Sequence, residues 1–406
     1  MSAEPDPKPV LLVLASTYPR WRDDPEPGFV HELCKRLVAR FRVIAVVPDA
    51  PGADPSGVLD GVEVVRYRYA PRALETLVNA GGIAVNLKRS PWKWLLVPGF
   101  VLGQYRAAWW ILRRARAVAI HAHWLLPQGL VALRLARVFA VPYVVTSHGG
   151  DLFGLRGRLP AALKRRVAAG CAGMTVVSTA MRDEVTRLQL CPPLVDVLPM
   201  GVDLRGRFVP DPEQSRDSDE LLFVGRLVAK KGLRHLLDAL PGILAVRPTV
   251  RLTIAGFGPE QPALQDQVKR LGIAASVTFA GATPQRALPA LYRRAAVFVA
   301  PFVRDATGNQ EGLPVALMEA IGCGCPVVVG NVAGVRDLLG AAADAISVDP
   351  RDPRALAAAI LASLQDPAVA AQRALALRAA AIGRIDWSHI AAGYADFIAQ
   401  TCRVAA

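Results

Sequence analysis

Short apolar runs rich in valine and isoleucine recur along the chain and alternate with stretches of helical periodicity. In the first half the runs fall at 10–14, 42–47, 62–66, 117–121, 143–146, 173–177 and 196–198, with amphipathic segments at 30–39, 99–116 and 159–169 between them. The pattern then restarts, with runs at 221–224, 251–255, 277–280, 297–300, 326–329 and 345–348 and helical segments at 231–246, 260–271, 285–295 and 314–321. Runs that are apolar at nearly every position suit strands covered on both faces, and strand–helix alternation predicts parallel sheets flanked by helices. Between the halves, 199–218 mixes Pro, Gly, Asp and Ser with little periodicity and reads as a linker. From Arg354 onward the chain is alanine-rich and helical. The expected architecture is α/β: two tandem doubly wound domains, 1–198 and 219–385, with a helix at about 386–406 packing back onto the first. Ligands of such sheets bind outside the carboxyl ends of the strands, so the loops that follow each strand are where chemistry is sought.

A length of 406 residues exceeds one hydrophobic core, in keeping with two domains. Hydrophobic residues make up 52%, charged residues 20%, and mean hydropathy is +0.30, which excludes a disordered chain. No stretch of about 18 apolar residues is free of charge; the longest candidate, 94–101, is short and flanked by Lys93 and Arg106. Glu4 and Asp6 precede an apolar run too short for a secretory signal, so the start reads as a tail leading into a buried strand. Six cysteines do not make a disulfide framework, and Cys323 and Cys325 are too close for an ordinary bridge. They read as small buried side chains in a reducing, cytosolic protein.

The formal net charge of +14 calls for an acidic partner: a phosphorylated substrate, an anionic membrane or a nucleic acid. The excess lies in the first half, where residues 1–200 carry 26 Lys/Arg against 15 Asp/Glu while residues 201–406 carry 22 against 19. Much of it sits in 66–116, with ten Lys/Arg, the single acid Glu75, and four of the seven tryptophans: Trp92, Trp94, Trp109 and Trp110. Tryptophans mixed with Lys88, Arg89 and Lys93 suit an anionic membrane surface, where rings sit at headgroup depth. A solvated basic face is the plainer alternative. No nucleic-acid-binding module is recognisable around the segment, so nucleic acid is not expected as a partner.

In the second half, a strand candidate ends at Gly225, Arg226 follows at once, and Lys231 lies near the start of the next helix. A fork of donors and a point charge beside a helix N-terminus suit a diphosphate; two solvated surface charges are the alternative. Glu311-Gly312-Leu313-Pro314 then precedes a helical run that carries Glu319, eight positions beyond Glu311. Pro314 fits a first helical turn, the amides nearby favour an anion, and the two carboxylates can accept from sugar hydroxyls. Gly256-x-Gly258 does not make a dinucleotide fingerprint, because Pro259 interrupts the turn and Gln261 replaces the third glycine.

Together, Gly225-Arg226 with Lys231-Gly232, and Glu311 with Glu319 at the Glu–seven residues–Glu spacing, resemble the large fourth family of retaining glycosyltransferases, of the bacterial polysaccharide and glycolipid type. Ala255-Gly-Phe-Gly-Pro259, Phe279-Ala-Gly-Ala-Thr-Pro284, and Pro326-Val-Val-Val with Ala333-Gly-Val resemble that family's intervening turns. The resemblance spans nearly the whole chain. It implies the GT-B fold, two Rossmann-like domains facing a central cleft, and transfer of a hexose from a UDP- or GDP-sugar to a hydroxyl acceptor without metal or other cofactor. It further implies that Arg226 and Lys231 bind the donor diphosphate, Glu311 the hexose and Glu319 the ribose. Gly225, Gly256, Gly281 and Thr283 would border the donor, and Gly312, Leu313 and Pro314 would cradle it. A sugar-nucleotide epimerase of the same fold and a non-catalytic nucleotide- or nucleic-acid-binding protein are the alternatives.

In the first half, Thr146-Ser-His-Gly-Gly-Asp151 ends a strand candidate and opens into a glycine-rich loop. It resembles the family's His-Gly-x-Asp segment, which implies that His148 meets the donor sugar or the reacting centre. Asp151 either shares that acceptor side or caps the next helix. His121 and His123 alternate along another strand end and face one side; lining an acceptor pocket is preferred to metal binding or packing, and no metal is expected. After the first strand the family carries a glycine-rich loop against the diphosphate, and Gly28 with Phe29 is this chain's counterpart. A glycan or lipid-linked acceptor, and a peripheral place on a membrane through 66–116, complete the expectation.

Overall fold

The computed structural model describes residues 8–403 apart from 23, 25–27, 79–81, 156, 307 and 309. Glu4 and Asp6 of the expected tail, Pro27, and Asn309 before the Glu311 segment lie outside the described residues. The chain forms two compact units, 1–199 with 390–406, and 200–389.

The first unit is built on eight strands: β1 (Val10–Leu14), β2 (Arg42–Pro48), β3 (Ser56–Leu59), β4 (Val62–Tyr67), β5 (Ala117–His123), β6 (Tyr143–Ser147), β7 (Gly173–Val176) and β8 (Val195–Val197). Their order in the sheet is β3-β4-β2-β1-β5-β6-β7-β8. All neighbours are parallel except β3, which pairs antiparallel with β4 along the edge. The central strands are buried at every or almost every position, as parallel strands covered by helices on both faces must be. β3 (Ser-Gly-Val-Leu) is short and mostly exposed, so it carried no apolar signal in the sequence. The chain order reverses at β1, where β2 lies on one side and β5 on the other; this is a topological switch point. The helix Trp387–Cys402 crosses from one unit to the other in sequence, and its part from Ile390 counts with the first unit, where the Tyr394 hydroxyl donates to the Leu198 carbonyl at 2.8 Å.

The second unit holds six parallel strands: β9 (Asp217–Val224), β10 (Arg251–Ala255), β11 (Val277–Gly281), β12 (Ala295–Ala300), β13 (Val327–Gly330) and β14 (Ser347–Val348), ordered β11-β10-β9-β12-β13-β14. Two apolar cores cover the sheet's two faces. The expected linker 199–218 is a correction. Val202, Leu204 and Phe208 are buried in the core that also contains Leu317, Met318 and Ile321, and β9 already begins at Asp217. The Arg378 guanidinium donates to the Leu204 carbonyl at 2.7 Å, and Asp386 accepts from the Leu204 amide at 3.0 Å. Aperiodic Pro/Gly-rich sequence therefore forms a packed strap of the unit. Its apolar residues are spaced by the turns of the strap, not by a helix or strand period. Pro314 is corrected by one position: it is the N-cap of the helix Val315–Gly322 and does not occupy its first turn.

Candidate active site

In the second unit the loops after β11, β10, β9 and β12 meet along the carboxyl edge of the sheet. Backbone lacing holds them together: the Gly225 amide donates to the Ala255 carbonyl at 3.0 Å, and the Gly256 amide to the Gly281 carbonyl at 2.8 Å. A Cβ at Gly256 would stand 1.9 Å from the Gly225 oxygen, so only glycine permits this approach. Thr283 closes the third loop, its hydroxyl 3.4 Å from the Gly281 carbonyl. Gly225, Gly256, Gly281 and Thr283, far apart in sequence, thus share one edge.

Lys231 ends a 3-10 turn, Ala229–Lys231, just before the helix Leu233–Val246. Its ammonium lies 3.1 Å from Glu311 Oε2 and 4.8 Å from the centre of the Phe302 ring. Lys230, which the sequence reading passed over, stands 2.8 Å from Glu311 Oε1. That oxygen accepts no hydrogen bond of good geometry, so the contact is electrostatic. Burial raises the Glu311 carboxyl, but Lys231 and Lys230 outweigh it and hold it at about 2. Burial pulls Lys231 below the ordinary lysine value, opposed by Glu311 and reinforced by the neighbouring Lys230 and Arg226 charges. Arg226 is half-buried at the end of β9, close to Lys231.

Glu311 enters the helix Val315–Gly322 through Gly312, Leu313 and Pro314. The amides of Gly312, Leu313, Val315 and Ala316 donate to no protein group among the described residues. They are the open donors of a helix N-terminus. Gly334 allows the facing turn to close on this loop, since a Cβ there would meet the Gly312 oxygen at 2.2 Å. Glu319 is buried within the helix and accepts from the Tyr292 hydroxyl at 2.9 Å. Burial pushes its carboxyl up to about 7, against the pull of Tyr292 and Arg207.

In the first unit, Gly28 caps the helix Phe29–Leu37, and a Cβ at Gly28 would meet open space. Phe29 lies 4.8 Å from the His148 ring and 6.1 Å from Trp124, and Trp124 lies 5.0 Å from His148. Trp124 holds a left-handed backbone (φ 76°) at the end of β5, which turns the chain toward this cluster. His148 Nε2 is 2.9 Å from His123 Nδ1, with the two ring planes nearly parallel. His121 is buried beneath them, its Nε2 2.7 Å from the Thr146 hydroxyl. Burial lowers His121 and His148 to about 3 and His123 below its ordinary value as well, so all three are neutral at pH 7. His123 reaches the cluster through His148 and through Trp124, 6.3 Å away between ring centres, while His121 packs against His123 at 4.3 Å. Asp151 is committed inside the fold, accepting from the Leu125 amide at 2.6 Å and the Ser147 hydroxyl at 2.8 Å. It pins the turn after β5 to the end of β6. No group of three or more His, Cys, Asp or Glu suited to a metal occurs among the described residues.

The basic segment divides. Arg66 turns into the first unit, while Trp92, Trp94, Leu95, Leu102 and Trp110 are exposed along Pro91–Arg114. Arg113 lies over the Trp109 ring at 4.8 Å and Arg114 over Trp110 at 5.6 Å. Among the described residues, no single helix is long and apolar enough to cross a membrane.

Residues 29–205 match the family model described as Glycosyltransferase Family 4, and residues 208–381 that described as Glycosyl transferases group 1. The chain is 30% identical over 388 residues to a glycogen synthase of Mycobacterium tuberculosis, covering 90% of this chain and 89% of that one. It is also 30% identical over 282 residues to a GDP-mannose-dependent alpha-(1-6)-phosphatidylinositol monomannoside mannosyltransferase of Mycolicibacterium smegmatis, covering 67% and 74%. Among solved structures, sucrose-phosphate synthase from Thermosynechococcus elongatus superposes with a TM-score of 0.79 at 20% identity over 98% of this chain and all of that one, a likeness of fold.

Proposed function

Since the chain belongs to glycosyltransferase family 4 and has the GT-B fold, we propose that it transfers a hexose from a UDP- or GDP-sugar to a hydroxyl of a lipid-linked or membrane-associated acceptor, with retention at the anomeric carbon. The observation that carries the donor half is the cluster of Arg226, Lys230, Lys231 and Glu311 beside the open amides of Gly312, Leu313, Val315 and Ala316. A diphosphate placed there meets cations and the open amides of a helix N-terminus. The bond from the anomeric carbon to the diphosphate oxygen breaks, and its electron pair leaves with the diphosphate, where these groups stabilise the growing charge. The acceptor oxygen bonds to the same face of that carbon, and its proton passes to a diphosphate oxygen, so no protein nucleophile is needed. Glu311 accepts from the hexose, and Glu319 from the ribose. At pH 7 Glu319 is part-protonated, which suits a group that exchanges its Tyr292 partner for a sugar hydroxyl. His148, neutral and held by His123, offers a hydrogen bond to the substrate.

The membrane half rests on the exposed tryptophans and cations of Pro91–Arg114. Support also comes from the mannosyltransferase relative, whose name carries a phosphatidylinositol acceptor. Thermal melting with UDP, GDP and ADP names the base, and nucleotide release from the matching sugar nucleotide tests turnover. Loss of release in Arg226→Ala and Glu311→Ala is expected; variants that release nucleotide as fast as the parent would overturn the site. Co-sedimentation with anionic vesicles at low salt tests the membrane reading, and no binding there removes it.

A further inference from the structure

A row of buried hydroxyl and imidazole groups crosses the first unit beneath the His148 cluster, and it starts far away in sequence. The terminal helix Trp387–Cys402 seats directly on β7, where a Cβ at Gly173 would stand 2.7 Å from the Phe397 ring. From that helix the Tyr394 hydroxyl donates to the Leu198 carbonyl at 2.8 Å, and the hydroxyls of Thr175 and Thr146 reach its oxygen. Burial pushes Tyr394 well above its ordinary value, so it stays protonated. The Thr146 and Thr175 hydroxyls lie 2.7 Å apart on neighbouring strands, and His121 Nε2 is 2.7 Å from Thr146. Tyr394, Thr175, Thr146 and His121 are each no more than 1% exposed. The His121 ring packs on His123 with centres 4.3 Å apart, and His123 Nδ1 meets His148 Nε2 at 2.9 Å. His121 Nδ1 and His123 Nε2 have no partner among the described residues.

One assignment of protons gives every donor of this row an acceptor. A carbonyl only accepts, so the Tyr394 proton is spent on Leu198. One threonine proton then goes to the other threonine and the second to the Tyr394 oxygen, which leaves Thr146 nothing to give His121. His121 therefore donates from Nε2 and keeps a bare Nδ1, since a buried lone pair without a partner is better tolerated than a buried N–H without one. By the same rule His123 carries its proton at Nδ1, donates to His148 Nε2, and leaves an N–H on His148 Nδ1. We propose that Tyr394 is a positioning residue of the transfer site: held on Leu198, it fixes the direction of the row, makes His121 a donor at Nε2, and so steadies the ring on which the His123–His148 pair rests. This rests on the transferase reading, in which His148 meets the substrate. Without the phenolic oxygen, two proton patterns each strand one donor, and His121 carries its proton on either nitrogen. On Nδ1 that proton is an unanswered N–H beside His123, and the ring turns to find an acceptor and disturbs the ring it packs on.

The test is Tyr394→Phe in the full chain, which removes one oxygen and keeps the ring. In nitrogen-15 NMR of protein labelled at histidine, His121 is expected as one tautomer in the parent and as a mixture in the variant, and the His148 resonances are expected to move with it. Transfer kcat should fall about three- to tenfold, the size of one lost buried hydrogen bond. Donor KM and nucleoside diphosphate affinity should stay at the parent values, because the groups that hold the donor lie in the second unit. Both measurements are made well below the variant's melting temperature. Thr146→Val, which takes away the acceptor of His121, should move the same resonances, and Thr146→Ser, which keeps it, should leave them in place; if Tyr394→Phe melts early, this pair decides. Parent kcat in Tyr394→Phe, unmoved His148 resonances, or equal shifts in Thr146→Val and Thr146→Ser overturn the proposal. Absence of transfer by the parent from any UDP- or GDP-sugar counts against the transferase reading instead, and the His121 and His148 resonances then judge the positioning role by themselves.

Discussion

Replacing Glu311 by glutamine removes one negative charge from between two lysines while keeping the side chain's shape. The carboxyl is held at about 2 against an ordinary value of 4.5. At 1.36 kcal/mol per pH unit, that difference is worth roughly 3 kcal/mol of stability in the ionised state. Since the folded value lies below the unfolded one, the contribution is fully present above pH 4.5 and is lost as pH falls toward 2. The parent should therefore melt higher than Glu311→Gln at pH 7, by about 6–12 °C for a unit of this size. By pH 3.5 the energy difference should shrink to roughly 2 kcal/mol. Calorimetric melting of both proteins at pH 7, 5.5 and 3.5 reads this directly. Ligands separate the two duties of the residue. Nucleoside diphosphate should bind Glu311→Gln at least as well as the parent, because Lys230 and Lys231 have lost their counter-ion, whereas sugar transfer should fall on the order of a hundredfold. A stability gap that widens toward acid would refute the ion-pair reasoning, and a loss of nucleotide affinity equal to the loss of transfer would refute the assignment of Glu311 to the sugar.

Lys231→Met should weaken nucleoside diphosphate binding by about 2 kcal/mol, some thirtyfold, by titration calorimetry, since charge-assisted contacts of this kind are worth about that much. Phe208→Ala should cost about 3–5 kcal/mol by chemical denaturation, where a linker residue would cost nothing measurable. The buried histidines of the first unit are held neutral by burial, so its melting temperature should fall as pH drops below 6.5, where the unfolded chain takes up protons that the folded one refuses; His121→Gln should lessen that slope. The His123–His148 contact should show one fixed tautomer pair in side-chain nitrogen NMR, and His123→Leu should release it while His123→Asn restores part of the activity lost.

Much of this protein is legible as pattern. Parallel strands covered on both sides must be apolar throughout, and helices that cover them must be amphipathic, so Val10–Leu14, Arg251–Ala255 and Ala295–Ala300 announce themselves locally. Gly225, Lys231 and Glu311 are equally local, because each stands at a strand end or beside a helix start where its chemistry has few alternatives. Edge strand β3 and the strap 199–216 were not legible, for opposite reasons: one is exposed although it is a strand, the other buried although it has no period.

What the amino-acid order determined by itself was the number of units, the hand-to-hand alternation within each, and the residue types at the sheet edges. What only the tertiary structure decided was which of those residues meet. Lys230 joins Lys231 on Glu311 because the fold sets the loop before Val315–Gly322 against the turn Ala229–Lys231, within reach of both ammonium groups. Asp151 and His121 turn inward because the turn after β5 and the end of β6 bring them Leu125, Ser147 and Thr146, whose hydrogen bonds solvent then cannot contest. Arg66, one of ten cations in a basic stretch, becomes distinct because two backbone carbonyls from distant loops hold it inside the unit. Side-chain identity is a property of the chain, but burial, partnership and the charge left unanswered are properties of the fold, because they depend on groups that the sequence keeps far apart.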